Sequence, residues 1–184
     1  MFKKSDFELY ETSAPAPIFS TILENHVEIN NYLKKEILDH RQKYPMSTDI
    51  ESNVKAWRSS WVTHEENPKF QPFCDLVRNT CSFLTEKYYN VSNEMLVKHM
   101  WCMMYNESDH AISHDHMPSL YSSSYYVDVE DGSSPVIFNK DTPNELTILP
   151  RNGMLLIWLG NLKHMVPPTK TKRMVISMNM HSKV

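Results

Sequence analysis

Glycine is scarce in this chain. The 184 residues hold three, Gly132, Gly153 and Gly160, against eleven prolines. Phosphate cradles need closely spaced glycines at the mouth of a helix, so P-loop NTPases and Rossmann dinucleotide binders are excluded. Cysteine is equally sparse: Cys74, Cys81 and Cys102 are an odd count without CxxC spacing, which argues for reduced thiols rather than a disulfide framework. No run approaches the roughly 20 apolar residues that span a bilayer, and the opening MFKKSDFELYETS has no apolar stretch after its lysines. A cytoplasmic protein without a membrane partner is expected. Charge of one sign is also lacking, since the formal net charge is −3, and with no broad basic field nucleic acid is not an expected partner. That leaves a small molecule or a peptide as substrate, and a second copy of the chain, as a homodimer, as the assembly to consider.

What is present is a chain 41% hydrophobic, long enough for one domain with a sizeable core. Residues 1–184 read as that single domain, helical over about 1–93 and strand-rich over about 94–182. Thr21 and Glu24 have the spacing of a capping box, and Ile22, Ile29, Leu33 and Ile37 recur at helical spacing until Pro45. A second helix is expected to open near Pro72, with Phe73, Leu76, Val77, Cys81, Leu84 and Tyr88 on one stripe. From residue 94 the period changes to two. Short segments such as EMLVKHMWCMMY, YSSSYYVDV, GMLLIWL and RMVISMNM are separated by Asp131-Gly132, Pro143-Asn144 and Asn152-Gly153. Helices first and strands afterwards exclude a doubly wound parallel sheet and predict an antiparallel sandwich or barrel.

The chemistry-bearing candidates lie in the strand-rich portion. Alternate side chains of a strand share a face, so His114 and His116 are expected to point one way and Asp115 the other. With nine histidines, chance alone yields roughly 0.4 pairs at this spacing, so the pair gains meaning only from context. His164 follows the apolar strand GMLLIWL after a short turn, and Arg173 opens the final strand. Three imidazoles on one face suit a mononuclear metal with open positions, and an interior arginine offers a planar fork for a carboxylate. On the last strand Ser177 and Asn179 share parity with Arg173. Tyr125 and Tyr126 point to opposite faces, so at most one of them lines the site. His110 has the parity of a rival ligand. Trp57, Trp61 and Trp101 read as core ahead of a substrate platform.

These blocks occur in a recognisable order. His114-Asp115-His116-Met117-Pro118, Ser123-Ser124-Tyr125-Tyr126-Val127, Ser133-Ser134-Pro135-Val136-Ile137-Phe138, Pro150-Arg151-Asn152-Gly153, His164-Met165-Val166-Pro167-Pro168 and Arg173 through Asn179 together resemble the small bacterial and phage family of iron(II)- and 2-oxoglutarate-dependent oxygenases. APIF at 16–19 and AWRSSW at 56–61 look like that family's opening strand and its Gly-Trp-Gln-Ser block. The resemblance implies a double-stranded β-helix, or cupin-like jelly roll, with flanking helices. It implies Fe(II) on His114, His116 and His164, with 2-oxoglutarate and O2 as co-substrates. Arg173 would take the distal carboxylate of 2-oxoglutarate, with Ser177, Asn179 and Tyr126 as further candidates for its pocket. The implied reaction is hydroxylation of a substrate with release of succinate and CO2, in the cytoplasm, or the host cytoplasm for a phage-encoded chain. Most of the superfamily places a carboxylate where His116 stands. A three-histidine cupin-like dioxygenase or isomerase without 2-oxoglutarate, and a non-enzymatic jelly roll, are the competing readings.

Overall fold

The computed structural model describes residues 2–10, 16–48 and 52–183; the helical reading of residues 1, 11–15 and 49–51 lies outside them, as does residue 184. Twelve strands follow one another among the described residues: β1 (Glu8–Tyr10), β2 (Ile18–Ile22), β3 (Val54–Lys55), β4 (Trp57–Arg58), β5 (Met95–Tyr105), β6 (His110–His114), β7 (Tyr121–Val129), β8 (Val136–Phe138), β9 (Leu146–Ile148), β10 (Met154–Leu159), β11 (His164–Val166) and β12 (Arg173–Ser182). They form a seven-stranded sheet ordered β1-β2-β10-β7-β12-β5-β4 and a five-stranded sheet ordered β3-β6-β11-β8-β9. Every pairing between these strands is antiparallel. Three α-helices are described: α1 (His26–Lys43), the single turn α2 (Thr63–Glu66) and α3 (Gln71–Tyr89). The expected mainly β architecture with flanking helices is what the chain adopts.

The strand alternation divides the interior into two cores. On the seven-stranded sheet, Met100, Cys102, Tyr125, Ile176, Met178 and Met180 face the helices, where Leu33 and Ile37 of α1 and Phe73, Cys74, Val77, Cys81 and Leu84 of α3 cover them. The opposite face carries Trp101, Met103, Tyr105, Tyr126 and Val175, which meet Val136, Phe138 and Ile148 of the smaller sheet. The stripe read for the second helix is thus the one buried, with Leu76 and Tyr88 at its margin. All three cysteines are free, buried thiols.

The N-terminal portion departs from the sequence reading in two ways. It contributes β1 to β4 as well as helices, because strands of two to five residues are too short to show a period. The Thr21/Glu24 pattern is not a capping box. Thr21 and Ile22 end β2, and α1 begins at His26 after Asn25, whose side chain makes no capping bond. Its other end stands as read: α1 stops at Lys43, because a residue preceding proline, here Tyr44, is disfavoured in helical geometry.

A histidine triad and an interior arginine

Topology brings the three candidate histidines together. His114 ends β6 and His164 opens β11, and the register places the two directly opposite each other. His116 lies two residues beyond the strand, so parity alone does not hold it. Its backbone N–H donates to Gly160 O (2.7 Å), and Gly160 N–H donates to Leu120 O (3.0 Å), which clamps the 116–120 segment over the end of β10. The ring centroids lie 5.0 Å (His114–His116), 4.5 Å (His114–His164) and 5.0 Å (His116–His164) apart. One ligand nitrogen from each falls within 4.8 Å of the others, the only such group of three or more His, Cys, Asp or Glu among the described residues.

A Cβ added to Gly160 would sit 2.1 Å from Ser119 O, a backbone atom that cannot give way alone. Gly160→Ala is therefore expected to push the 116–120 segment outward. About 1–3 kcal/mol of stability should be lost, as in other overpacked sites. Metal uptake should weaken at least tenfold, checked by thermal melting alongside metal titration; a normal titration would refute the clamp.

The tautomers are set for ligation. His114 Nδ1 lies 2.7 Å from Ile112 O, and His164 Nδ1 lies 3.1 Å from Leu162 O. A carbonyl only accepts, so each Nδ1 carries the proton and each Nε2 keeps a bare lone pair, the arrangement in which carbonyls orient metal-bound imidazoles. Burial, above all, depresses all three basicities, with neighbouring rings adding to the effect for His116 and His164. His116 falls to about 3, while His114 is lowered and His164 is lowered far from the usual range. The triad is neutral at physiological pH, as ligands must be.

This has a consequence for acid stability. The unfolded chain binds protons at these histidines near pH 6.5 and the folded metal-free chain does so only at lower pH, so in that window the unfolded state holds more protons. The stabilisation is complete above about pH 6.5 and should fall away from there down to about pH 3. Melting curves of metal-free protein should fall across that window, and His116→Gln should flatten the decline.

Arg173 sits on the inner face of the larger sheet and is 3% exposed. Its Nη1 donates to Ser134 O (2.7 Å), and its guanidinium carbon lies 4.3 Å from the centre of the Tyr105 ring. Its Nε is buried without a hydrogen-bond partner. One cavity connects it to all three histidines, lined also by Ser124, Ser177, Tyr126, Trp101 and Trp158. Ser124 and Ser177 hydroxyls bond each other at 3.0 Å. The Tyr126 phenol, buried here, is pushed up to about 12. Tyr125 faces the helices and donates to Asn30 Oδ1 (2.6 Å), which settles the choice between the two tyrosines. Asn179 is buried but does not line the cavity; its Oδ1 accepts from Ser122 (2.8 Å).

Among the described residues no carboxylate lines this cavity. Asp115 is exposed, with Oδ1 accepting from Met117 N–H (3.2 Å), and Asp109 Oδ2 accepts from Asn106 N–H (2.7 Å). His110 Nδ1 lies 3.2 Å from Ser108 O, and its ring is not in the triad.

Several contributors escape sequence reasoning. Trp101 and Trp158 press against the triad, Trp101 at 5.8 Å from His116 and Trp158 at 4.9 Å from His164, and both indole N–H groups are buried without a partner. Each such donor costs about 1–3 kcal/mol until an acceptor meets it. On the other side of His114 and His116 a hollow of about 190 Å³ is lined by Ser52, Asn53, Arg58, Trp61 and Asp115. There Arg58 lies 3.7 Å from the centre of the half-exposed Trp61 ring and donates to Ser52 Oγ (3.1 Å). Trp57 is core. No alternating pattern distinguishes these residues from ordinary packing.

Fold and site define a jelly roll in which three imidazoles, placed so that they could hold a metal ion, face an arginine-ended cavity. Residues 99–179, the segment that builds most of this cavity, match the model of a family described as "Putative 2OG-Fe(II) oxygenase". That segment is similar to the iron(II)- and 2-oxoglutarate-dependent oxygenases, oxidoreductase enzymes that need Fe(II), 2-oxoglutarate and O2. No curated protein matches the sequence. Among solved structures, the chain resembles a prolyl hydroxylase from Trichoplax adhaerens, solved with a hypoxia inducible factor peptide (TM-score 0.69, 15% identity, 88% of this chain and 83% of that one). It also resembles a prolyl-4-hydroxylase from Pseudomonas putida (TM-score 0.65, 12% identity, 92% and 95%). A third is a viral collagen prolyl hydroxylase from Paramecium Bursaria Chlorella virus-1, solved with 2-oxoglutarate (TM-score 0.52, 16% identity, 90% and 96%). At such identities the likeness is one of fold. Among the described residues no helix is long and apolar enough to cross a membrane.

Proposed function

We propose that the chain is a single-domain oxygenase in which His114, His116 and His164 hold Fe(II) and Arg173 holds the distal carboxylate of 2-oxoglutarate. The substrate is a small molecule or a peptide side chain, hydroxylated with release of succinate and CO2. The observation that carries this reading is the shared cavity: three neutral imidazoles at one end, an arginine with an unmatched Nε at the other, and no carboxylate among the described residues of its lining. Imidazoles suit iron among several transition metals, so the donor set fits without selecting it, and the family supplies the selection.

When bound, iron and 2-oxoglutarate supply the oxidising chemistry. The chain's own residues orient and exclude. The Ile112 and Leu162 carbonyls hold two imidazoles in place, the Ser134 carbonyl and the Tyr105 ring fix the Arg173 guanidinium, and Phe138, Trp101 and Trp158 keep water from the histidines. Ser177 and Tyr126 complete the co-substrate wall, with Asn179 supporting it from the neighbouring position. The hollow beside Trp61 leaves His114 and His116 approachable from the far side, where a substrate would enter.

Anaerobic addition of Fe(II) and then 2-oxoglutarate should produce a visible metal-to-ligand charge-transfer band, and its absence at saturation would defeat this reading. If Fe(II) is taken up but 2-oxoglutarate gives no band, the three-histidine cupin-like alternative is favoured instead. Once a band forms, succinate release screened over amino acids, peptides and modified bases identifies the substrate class.

A further inference from the structure

The inner face of the larger sheet carries an ordered array of polar groups that the three ligands and Arg173 do not explain. Register places Trp158, Ser122, Asn179 and His99 in one row across four strands, and Leu156, Ser124, Ser177 and Trp101 in the next. The row after that is Tyr126, Val175 and Met103, and beyond it Arg173 lies opposite Tyr105. Polarity is therefore concentrated at two levels, under the triad and at the arginine, about 13 Å apart along β12 if four residues rise about 3.3 Å each.

At the triad level the serines and Asn179 satisfy one another, but the Trp101 and Trp158 indoles do not. An indole N–H can only donate, so the missing partner is an acceptor. Among the described residues no Asp or Glu lines the cavity. Both rings are at least 97% buried, which leaves bulk water unable to fill the need. The cavity is thus equipped with donors at both ends, the complement of a ligand with an anion at both ends.

We propose that Trp101 and Trp158 are positioning residues that donate their indole N–H groups to the carboxylate of 2-oxoglutarate lying against the histidine triad, while Arg173 takes the far one. This rests on the functional reading above and extends it to residues outside that reading's ligand set. In this geometry the indoles bind an oxygen that the missing protein carboxylate leaves to the co-substrate. They also hold it at a fixed distance from Arg173, which makes them selectors of chain length.

The test uses Trp101→Phe and Trp158→Phe, which keep an aromatic ring and remove the donor, with two probes. One is 2-oxoglutarate. The other is 4-oxopentanoate, which keeps the distal carboxylate and the keto group but has a methyl in place of the carboxylate at the triad. Each variant should weaken 2-oxoglutarate binding to metal-loaded protein about tenfold or more and leave 4-oxopentanoate unchanged, whereas a merely structural role would weaken both equally. In the Zn(II)-loaded unsubstituted protein, the two indole ¹H–¹⁵N resonances should move on adding 2-oxoglutarate and stay in place with 4-oxopentanoate. Unmoved resonances, or equal losses for the two probes, overturn the proposal and leave the oxygenase reading standing if the charge-transfer band forms. Failure of the unsubstituted protein to bind 2-oxoglutarate overturns both.

Discussion

His164→Ala is expected to abolish Fe(II) uptake and with it all 2-oxoglutarate turnover, a fall of at least about a thousandfold, since disturbing even an outer partner of a metal ligand costs 10–100-fold. The expectation rests on geometry rather than on the presence of a histidine. His164 stands opposite His114 across the β6–β11 pairing, its Nδ1 is occupied by the Leu162 carbonyl, and Phe138 and Trp158 wall its ring. Removing the imidazole leaves two ligands and a void in a buried wall. His164→Gln keeps most of the volume and serves as the control for packing. His110→Ala should bind Fe(II) normally, because that ring lies outside the triad. Metal content after anaerobic loading and desalting, with melting curves to confirm folding, decides the matter; full iron occupancy in folded His164→Ala would refute the assignment.

Arg173→Ala is expected to weaken 2-oxoglutarate by about a hundredfold or more, since hydrogen bonds to a charged group contribute about 1.5–3 kcal/mol each and a guanidinium can offer two. Fe(II) uptake should be unaffected, which separates this effect from that of the triad. Part of the loss is in folding, because the Ser134 carbonyl is left without its donor, so affinity must be read at a temperature where the variant is folded. Arg173→Lys should recover the charge but not the fork, giving an intermediate affinity. The measurement is the 2-oxoglutarate dependence of the charge-transfer band and of succinate formation. Unchanged affinity in a folded Arg173→Ala protein would move the reading to an enzyme that does not use 2-oxoglutarate.

The strand-rich half was legible because long antiparallel strands alternate. β5, β7 and β12 show in the sequence the same two-residue period that separates the helix-facing Cys102, Tyr125 and Ile176 from the cavity-facing Trp101, Tyr126 and Val175. The N-terminal half misled where elements were short. Ile18–Ile22 carries no readable period, and Thr21 and Glu24 have capping-box spacing by coincidence, their backbone being committed to β2 and the turn after it. In the site, Ser177 shares the cavity-facing parity of Arg173, whereas parity left Tyr125 and Tyr126 as alternatives and the packing of Tyr125 against the helices separates them. His116 reaches its place through the Gly160 clamp, a contact between segments more than forty residues apart that no local pattern encodes. Asn179 shows the limit of parity: it has the right face, but its Oδ1 accepts from Ser122 and the residue does not line the cavity. Trp101 and Trp158 were hidden by their resemblance to core, since a buried indole is ordinary until its N–H is found without a partner.

The two-sided character of β12 has a bearing on how such a protein can change over time. Arg173, Val175 and Ser177 look into the cavity, while Ile176, Met178 and Met180 are packed under α1 and α3. Substitutions among the second group are absorbed in the helical layer and register mainly as altered thermal tolerance; substitutions among the first alter what is bound. Because the two sets interleave residue by residue, ligand preference can drift without melting the scaffold, but inserting or deleting a single residue in β12 would exchange the two faces and lose both at once.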